Sequence, residues 1–311
     1  MPAGARFVAV RAWIVRALRL GALAPLVLFG GCTWRLFDPA GAVGVQERSL
    51  ILESLGLMLL VVVPVIALTL VFAWRYRASN TRATHDPTWA HSTAIEVVVW
   101  TVPCVIVVVL ATMIWRTTRT LDPYRPLPSQ VRPLRVDVVA LNWKWLFIYP
   151  DYGIATVNEL RVPVGTPVDF RLTAESLMNS FFIPQLGSQV YAMAGMQTQL
   201  HLVADRPGTY LGMSSAFSGA GFSDMHFEAR ATDRAEFDAW VREARRSPQS
   251  LDAARYTWLA TPTTPGTPAE FAGVEPDLFD GVVQRFMRAR DGAAYCLPPI
   301  LVRQTAAQRT E

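Results

Sequence analysis

The sequence contains few charged residues. They make up 17% of the 311 residues, whereas soluble globular proteins average about 25%. Hydrophobic residues make up 51% of the chain, and this balance indicates a membrane protein with room for one sizeable domain outside the membrane. The formal charge of +4 is small and the arginines are scattered, so we expect no nucleic-acid partner.

Cysteine is also scarce, with three residues in the whole chain. Cys32, Cys104 and Cys296 lie far apart and show no CxxC or Cys/His spacing. They therefore predict neither a disulfide framework nor a zinc site. Cys104 lies in a long apolar run, where a thiol serves as a small apolar side chain.

Residues 1–31 have the pattern of a secretory signal peptide. Four arginines precede an uncharged run at 20–31, and Phe29-Gly30-Gly31 precedes Cys32. Two small residues before a cysteine resemble a lipoprotein cleavage box, although Phe29 stands where leucine is usual. We expect cleavage before Cys32 and a lipid anchor on Cys32. The alternative is an uncleaved third membrane helix, but twelve apolar residues are too short for a ~30 Å hydrocarbon core.

Two uncharged runs, residues 55–74 and 97–115, predict membrane-spanning helices. Each has close to the ~20 apolar residues that a spanning helix needs. Pro64 and Pro103 should kink these helices, which membrane bundles tolerate. Tryptophans near the ends of the runs suit the headgroup region: Trp74, Trp100 and Trp115.

The segment 75–96 between the two runs predicts their orientation. It carries Arg75, Arg77 and Arg82 with the acid Asp86, so the positive-inside rule places it in the cytoplasm. Segment 32–54 and the rest of the chain after the second run are then periplasmic. Four arginines after the second run argue the other way, but a large exported domain translocates largely regardless of charge: Arg116, Arg119, Arg132 and Arg135.

The chain after the proline-rich connector 116–133 reads as a β-sandwich over residues 134–231. Short alternating runs are separated by turn residues such as Pro207-Gly208, which is typical of sandwiches. The expected strands lie in these runs: 134–141, 143–150, 158–174, 197–204, 207–214 and 225–231.

The region 232–290 is predicted to be helical. Asp233 and Glu236 form a capping pair ahead of an amphipathic run. Residues 261–270 should form a loop, 275–290 a second amphipathic helix, and 291–311 a tail. The predicted fold class is an α+β membrane protein with a transmembrane helical hairpin, a β-sandwich and a small C-terminal helical region.

Two helices followed by an exported sandwich with a glycine-rich loop resemble subunit II of the haem–copper oxidases. In the cytochrome c branch of that family the sandwich is a cupredoxin, and its loop binds two copper ions through Cys-x3-Cys-x3-His-x2-Met and one upstream histidine. Here that spacing is kept, but the positions are occupied by other residues. They are Ser214, Ser218, Phe222 and Met225, with Asn179 at the upstream position.

These substitutions remove the chemistry of the copper centre. Two copper ions need soft bridging thiolates, whereas a serine hydroxyl stays protonated and phenylalanine donates nothing. We therefore expect no metal and no cofactor in this chain. Other donors have no metal-ligand spacing, and the methionines among them suit core filling: His201, His226, Met193, Met196 and Met213.

The resemblance then narrows to ubiquinol oxidases of the cytochrome bo type. It is carried by residues 178–202, the serine-substituted loop 214–225 and the C-terminal helices, and it covers most of the chain from Cys32 to about residue 290. It implies a bacterial inner-membrane complex that oxidises ubiquinol, reduces dioxygen and pumps protons. Haems and copper would lie in subunit I, with subunits III and IV as further partners.

Several residues have a role implied by this resemblance and a plainer alternative. Glu96 matches a family glutamate at the cytoplasmic mouth of a proton pathway, although an acid at the edge of a span also simply reaches water. Glu53 reads as a solvated interfacial acid. Trp143 and Trp145 match an aromatic patch that passes electrons to copper; without copper, packing between the sandwich and the membrane subunit is preferred.

Two other functions stay open at this point. One is a cytochrome c oxidase subunit that lost its copper and is inactive. The other is a free-standing periplasmic lipoprotein with a vestigial cupredoxin, which acts as a chaperone or binding module. Two spans disfavour the latter, because one lipid anchor suffices for a soluble domain.

Overall fold

The structure is a computed structural model, which describes residues 35–84, 86–263 and 268–288. The predicted signal peptide, Cys32, Cys296 and the tail lie outside the described residues. The chain divides into two compact units, Met1–Asp38 and Pro39–Glu311. In the first, Arg35–Phe37 form a short 3-10 helix. All elements below belong to the second.

Two long helices contain the predicted spans. Helix α1 covers Ala42–Arg75 and helix α2 covers Thr93–Thr120, and both are long and apolar enough to cross a membrane. Both helices continue past their internal prolines, Pro64 and Pro103. Helix α1 has 34 residues and is therefore about 51 Å long. This length exceeds the ~30 Å hydrocarbon core, so the first turns of α1 can lie outside the membrane and contact other parts of the chain.

The described residues contain eleven strands, which form the two sheets of a sandwich. In chain order they are β1 Leu134–Ala140, β2 Trp145–Tyr149, β3 Ile154–Val157, β4 Glu159–Pro163, β5 Val168–Ala174, β6 Asn179–Ile183, β7 Gly187–Ala192, β8 Thr198–Leu202, β9 Gly208–Ser214, β10 His226–Thr232 and β11 Ala269–Ala272. One sheet has the order β11-β3-β2-β1-β5-β8 and the other β4-β10-β9-β6-β7. The predicted sandwich is confirmed, although the strands at 154–157, 179–183, 187–192 and 269–272 were not expected.

Aromatic side chains fill the space between the two sheets. Trp145 and Phe147 of one sheet meet Phe181 and Phe227 of the other, with ring centroids 5.0–6.3 Å apart. Edge-to-face and offset pairs at this separation are favourable beyond their buried area. This cluster holds the strands that carry the candidate site on a rigid base.

The C-terminal region packs on the sandwich. Helix α3, Arg234–Ala244, begins as predicted, because the Asp233 carboxylate accepts a hydrogen bond from the amide of Glu236 at 2.8 Å. Helix α4, Ala253–Ala260, was not predicted. The prediction of a loop over 261–270 is wrong for residues 269 and 270, because they belong to strand β11, Ala269–Ala272, which pairs with β3. Helix α5 covers Leu278–Arg288.

Ion pairs and hydrogen bonds connect this C-terminal region to strand β5 and to Glu175, the residue that follows it. Arg171 bonds both carboxylate oxygens of Asp137, at 2.7 and 2.5 Å, and reaches Asp280 of α5 at 3.3 Å. Glu175 accepts hydrogen bonds from Tyr256 of α4 and from Arg285 of α5. Burial raises the pKa of Tyr256, so its hydroxyl stays a donor to this buried carboxylate.

The start of α1 is seated in the sandwich. The amides of Ala40 and Gly44 donate to the carbonyls of Gln185 and Leu186 at 2.6 and 3.0 Å, and the amide of Asp205 donates to Ala40. A side chain at Gly41 would place its Cβ 2.2 Å from the carbonyl oxygen of Val203. The glycine therefore sets the close approach between the first membrane helix and the exported domain.

We predict that Gly41→Ala destabilises this joint, because the backbone around Val203 must move to admit the methyl group. Gly56→Ala is the matched control, since nothing lies within 4 Å of a Cβ at that helical position. The measurement is the urea midpoint of the full chain in detergent micelles, followed by tryptophan fluorescence. A backbone clash of this kind should cost about 1–3 kcal/mol, whereas equal midpoints for the two variants would contradict the prediction.

Candidate functional site

The five positions of the degenerate copper motif lie at one end of the second sheet. Asn179 begins β6, Ser214 ends β9, and Met225 directly precedes β10. Ser218 and Phe222 lie in the loop between β9 and β10. Because β9 pairs antiparallel with both β6 and β10, strand pairing alone brings Asn179, Ser214 and Met225 to the same edge.

Asn179 and Ser214 contact each other inside this end of the sandwich. The Ser214 hydroxyl oxygen lies 3.2 Å from Asn179 Oδ1 and 3.2 Å from the carbonyl oxygen of Ala216. The Asn179 amide nitrogen donates to the Leu177 carbonyl at 3.0 Å. Asn179 is 2% exposed and Ser214 5%, so both polar side chains depend on these protein partners.

Ser218 and Met225 form a second pair. The Ser218 hydroxyl lies 3.8 Å from the Met225 sulfur, and both residues are buried. The amide of Ser214 donates to the Met225 carbonyl at 3.2 Å, which joins this pair to the first.

The Phe222 side chain departs from the polar pattern of the other four. It is half-buried and packs edge-on against Phe217, with ring centroids 5.5 Å apart. Phe217 is 79% exposed. The position that carries an imidazole in the copper-binding branch therefore takes part in an apolar contact at the protein surface.

Trp143 holds the loop from the opposite sheet. It lies in the turn between β1 and β2 with a positive φ of 62°, and its indole nitrogen donates to the Ser218 carbonyl at 2.9 Å. Its ring covers Gly221, where a Cβ would stand 2.4 Å from the indole. Glycine at position 221 therefore allows the Trp143 ring to lie directly against the loop.

The expectation that Trp143 and Trp145 pack against a membrane subunit is wrong for Trp145. Trp145 is fully buried in the aromatic cluster of its own sandwich, so a partner chain has no access to it. Trp143 is half-buried against its own loop. The turn that carries it also binds α4, because Asn142 donates to the Ala260 carbonyl at 2.7 Å.

The residues present do not fit a dinuclear copper centre. The four polar positions offer two hydroxyls, one amide and one thioether, of which only the thioether is a soft ligand. Their donors and acceptors are engaged with one another and with the backbone. No cluster of three or more His, Cys, Asp or Glu side chains suited to a metal occurs among residues 35–84, 86–263 and 268–288.

The other donors considered from the sequence are dispersed. His201 lies in β8 and contacts the Pro123 carbonyl and Asp169, whereas His226 is exposed at the start of β10. Met193 and Met213 are half-buried, but Met196 is 52% exposed. The expectation that these methionines fill the core is therefore wrong for Met196.

The two membrane acids lie on different helices. Glu96 is in the first turn of α2, where its amide donates to the Ser92 carbonyl at 2.9 Å. Glu53 lies on α1, and both residues are exposed in the isolated chain. A proton-uptake role for Glu96 stays a prediction.

Sequence reasoning missed the hydrogen-bond network that borders the degenerate site. Ser180 and Ser215 lie 2.7 Å apart through their hydroxyls, and both reach Gln189 on β7, at 3.1 and 2.5 Å. No local pattern signals this network, because Ser180, Gln189 and Ser215 lie in separate segments of the chain.

Two segments of the chain match models of known protein families. Residues 150–232 match "Cytochrome C oxidase subunit II, periplasmic domain", and residues 245–289 match "COX Aromatic Rich Motif". The fold also resembles the periplasmic domain of subunit II of cytochrome oxidase from Bradyrhizobium japonicum. That likeness has a TM-score of 0.36 and 23% identity, and covers 36% of this chain and 94% of the other.

Longer matches come from full-length relatives. Cytochrome bo(3) ubiquinol oxidase subunit 2 of Pseudomonas putida is 52% identical over 84% of this chain and 83% of its own length. Ubiquinol oxidase subunit 2 of Acetobacter aceti is 51% identical over 88% and 89%. Quinol oxidase subunit 2 of Bacillus cereus is 37% identical over 80% and 87%. With its sandwich, its paired apolar helices and these relatives, the chain belongs to the ubiquinol oxidase subunit 2 family.

Proposed function

We propose that this chain is subunit II of a bacterial oxidase that transfers electrons from ubiquinol to dioxygen, and that it carries no redox centre itself. The observation that supports this most is the arrangement of Asn179, Ser214, Ser218 and Met225. Their side chains bond one another where the cytochrome c branch holds copper. A complex whose donor is a membrane quinol does not need a copper centre exposed to water.

The proposal places the redox cofactors elsewhere in the complex. Haems and copper belong to subunit I, and subunits III and IV complete the assembly, which couples dioxygen reduction to proton pumping. This chain then acts as a scaffold that caps the outer face of subunit I. The large apolar side chains that α1 and α2 expose along their length support such a partner together with lipid.

The proposed location is the bacterial inner membrane. Both helices cross it, the loop between them is cytoplasmic, and the sandwich is periplasmic, as the arginines at 75, 77 and 82 favour. Cys32 carries the lipid anchor after signal cleavage. The anchor would then hold the start of the mature chain at the periplasmic surface of the inner membrane.

The proposed role of Glu96 is proton uptake from the cytoplasm. It stands at the helix end next to the cytoplasmic loop, in a segment where a carboxylate is costly unless it reaches water or a partner. The apolar surface of α2 beyond it favours contact with a membrane subunit over exposure to solvent. A carboxylate at that junction collects protons and passes them to the neighbouring chain.

The test is purification of the whole complex in mild detergent through a tag on this chain. We expect co-purifying haem bands, copper that stays with a partner chain after separation of the subunits, and oxygen uptake driven by ubiquinol but not by reduced cytochrome c. A haem-free chain that purifies alone would support the lipoprotein alternative instead. A complex with haem but no ubiquinol-driven oxygen uptake would support the inactive-oxidase alternative.

Glu96→Ala should slow ubiquinol-dependent oxygen uptake several-fold, because protons then reach the pathway without a collecting carboxylate. Haem content per complex should stay unchanged. Glu53→Ala is the matched control, since it removes an exposed acid from the other helix of the hairpin, and it should keep full turnover. Wild-type turnover in an assembled Glu96→Ala complex would remove the proton-uptake role while leaving the subunit assignment in place.

A further inference from the structure

The connector between α2 and the sandwich is attached by a buried histidine. The connector consists of residues 121–133, because α2 continues to Thr120 and includes the first five residues of the predicted connector 116–133. Leu121 and Leu127 are half-buried and pack against the sandwich core. Between these two contacts, the carbonyl oxygen of Pro123 lies 2.8 Å from Nδ1 of His201. His201 lies in β8 and is 8% exposed, so its ring is a fixed part of the sandwich.

The other nitrogen of the same ring faces a carboxylate. His201 Nε2 lies 3.4 Å from Asp169 Oδ1, and Asp169 is the register partner of His201 where β5 pairs with β8. One imidazole therefore lies between a backbone carbonyl on the connector and a carboxylate on the sheet.

Both neighbours of the ring are acceptors. A backbone carbonyl has no proton to donate, and an ionised carboxylate accepts only. A neutral imidazole has one N–H group. The carboxylate is the stronger acceptor because it is charged, so we expect the neutral ring to keep its N–H on Nε2 and to turn the Nδ1 lone pair towards the Pro123 carbonyl. The imidazolium has two N–H groups and satisfies both, with charge-assisted bonds that are roughly twice as strong as neutral ones.

The charged groups around this pair come from three elements. Asp169 belongs to β5, and its register partner on β1 is Arg135, which also reaches Asp137 at 3.4 Å. On the connector, Asp122 and Arg125 flank Pro123, and their backbones bond each other at 3.0 Å. Burial raises the pKa of Asp169, and the charge of His201 opposes that shift.

We propose that His201 is a pH-sensitive latch, which fastens the connector to the sandwich when its ring is protonated and loosens it when the ring is neutral. An imidazole is protonated at the lower pH, so the latch is closed in acid and its contribution is lost as the pH rises. The joint between α2 and the sandwich would thus respond to acidity on the side of the membrane that bears the sandwich.

The test is hydrogen exchange of the full chain in detergent micelles at about pH 5.5 and about pH 7.5. Rates are divided by the intrinsic rates for each pH. In the wild type, amide protection in the connector should fall roughly three- to tenfold at the higher pH, the loss expected from one hydrogen bond. His201→Gln cannot titrate, so its connector should show equal protection at both values.

Two further variants complete the test. Asp169→Asn keeps His201 but removes the carboxylate that stabilises the imidazolium, so the loss of protection should move to lower pH. His226→Gln removes an exposed histidine at the start of β10 and should behave as the wild type does. Equal protection at both pH values in the wild type, or an unchanged pH response in His201→Gln or Asp169→Asn, would overturn the proposal.

Discussion

The chemical difference between a thiolate and a hydroxyl decides what the end of β9 can bind. Two copper ions are held by soft sulfur and imidazole ligands, and a thiolate provides negative charge at neutral pH where a serine hydroxyl does not. At Ser214 and Ser218 the hydroxyls are instead engaged with an amide oxygen and a thioether. The aromatic cluster between the two sheets and the indole of Trp143 support the loop that carries these residues.

Features with strong local signals could be predicted from the sequence. The membrane helices follow from uncharged runs of about twenty residues, the strands from alternation, and the start of α3 from the Asp233 cap. The convergence of Asn179, Ser214, Ser218 and Met225 was expected from the resemblance, since their spacing is kept, and strand pairing brings them to one edge of the sheet. The roles proposed for Cys32 and Glu96 still rest on the sequence.

The remaining features depend on contacts between distant segments. Strand β11 joins the edge of the first sheet by pairing with β3, and helix α4 packs on a face of that sheet. Tyr256 and Phe271 are fully buried there, and no local pattern signals this. The resemblance predicts Trp145 at an interface because it matches the aromatic patch of the family, whereas its side chain is buried in the core of the sandwich. Gly41 packs against the backbone of Val203, and His201 contacts Pro123. Both contacts join residues more than seventy positions apart, and the hydrophobic periodicity of the sequence does not reveal them.

Copper binding by the full chain tests the central claim most directly. The wild-type chain and a variant carrying Asn179→His, Ser214→Cys, Ser218→Cys and Phe222→His would be mixed with copper in detergent, dialysed, and examined by visible and electron paramagnetic resonance spectroscopy. We predict that the wild type retains no copper, and that the variant, which retains Met225, gains the purple mixed-valence spectrum of a two-copper centre. That spectrum in the wild-type chain would contradict the account.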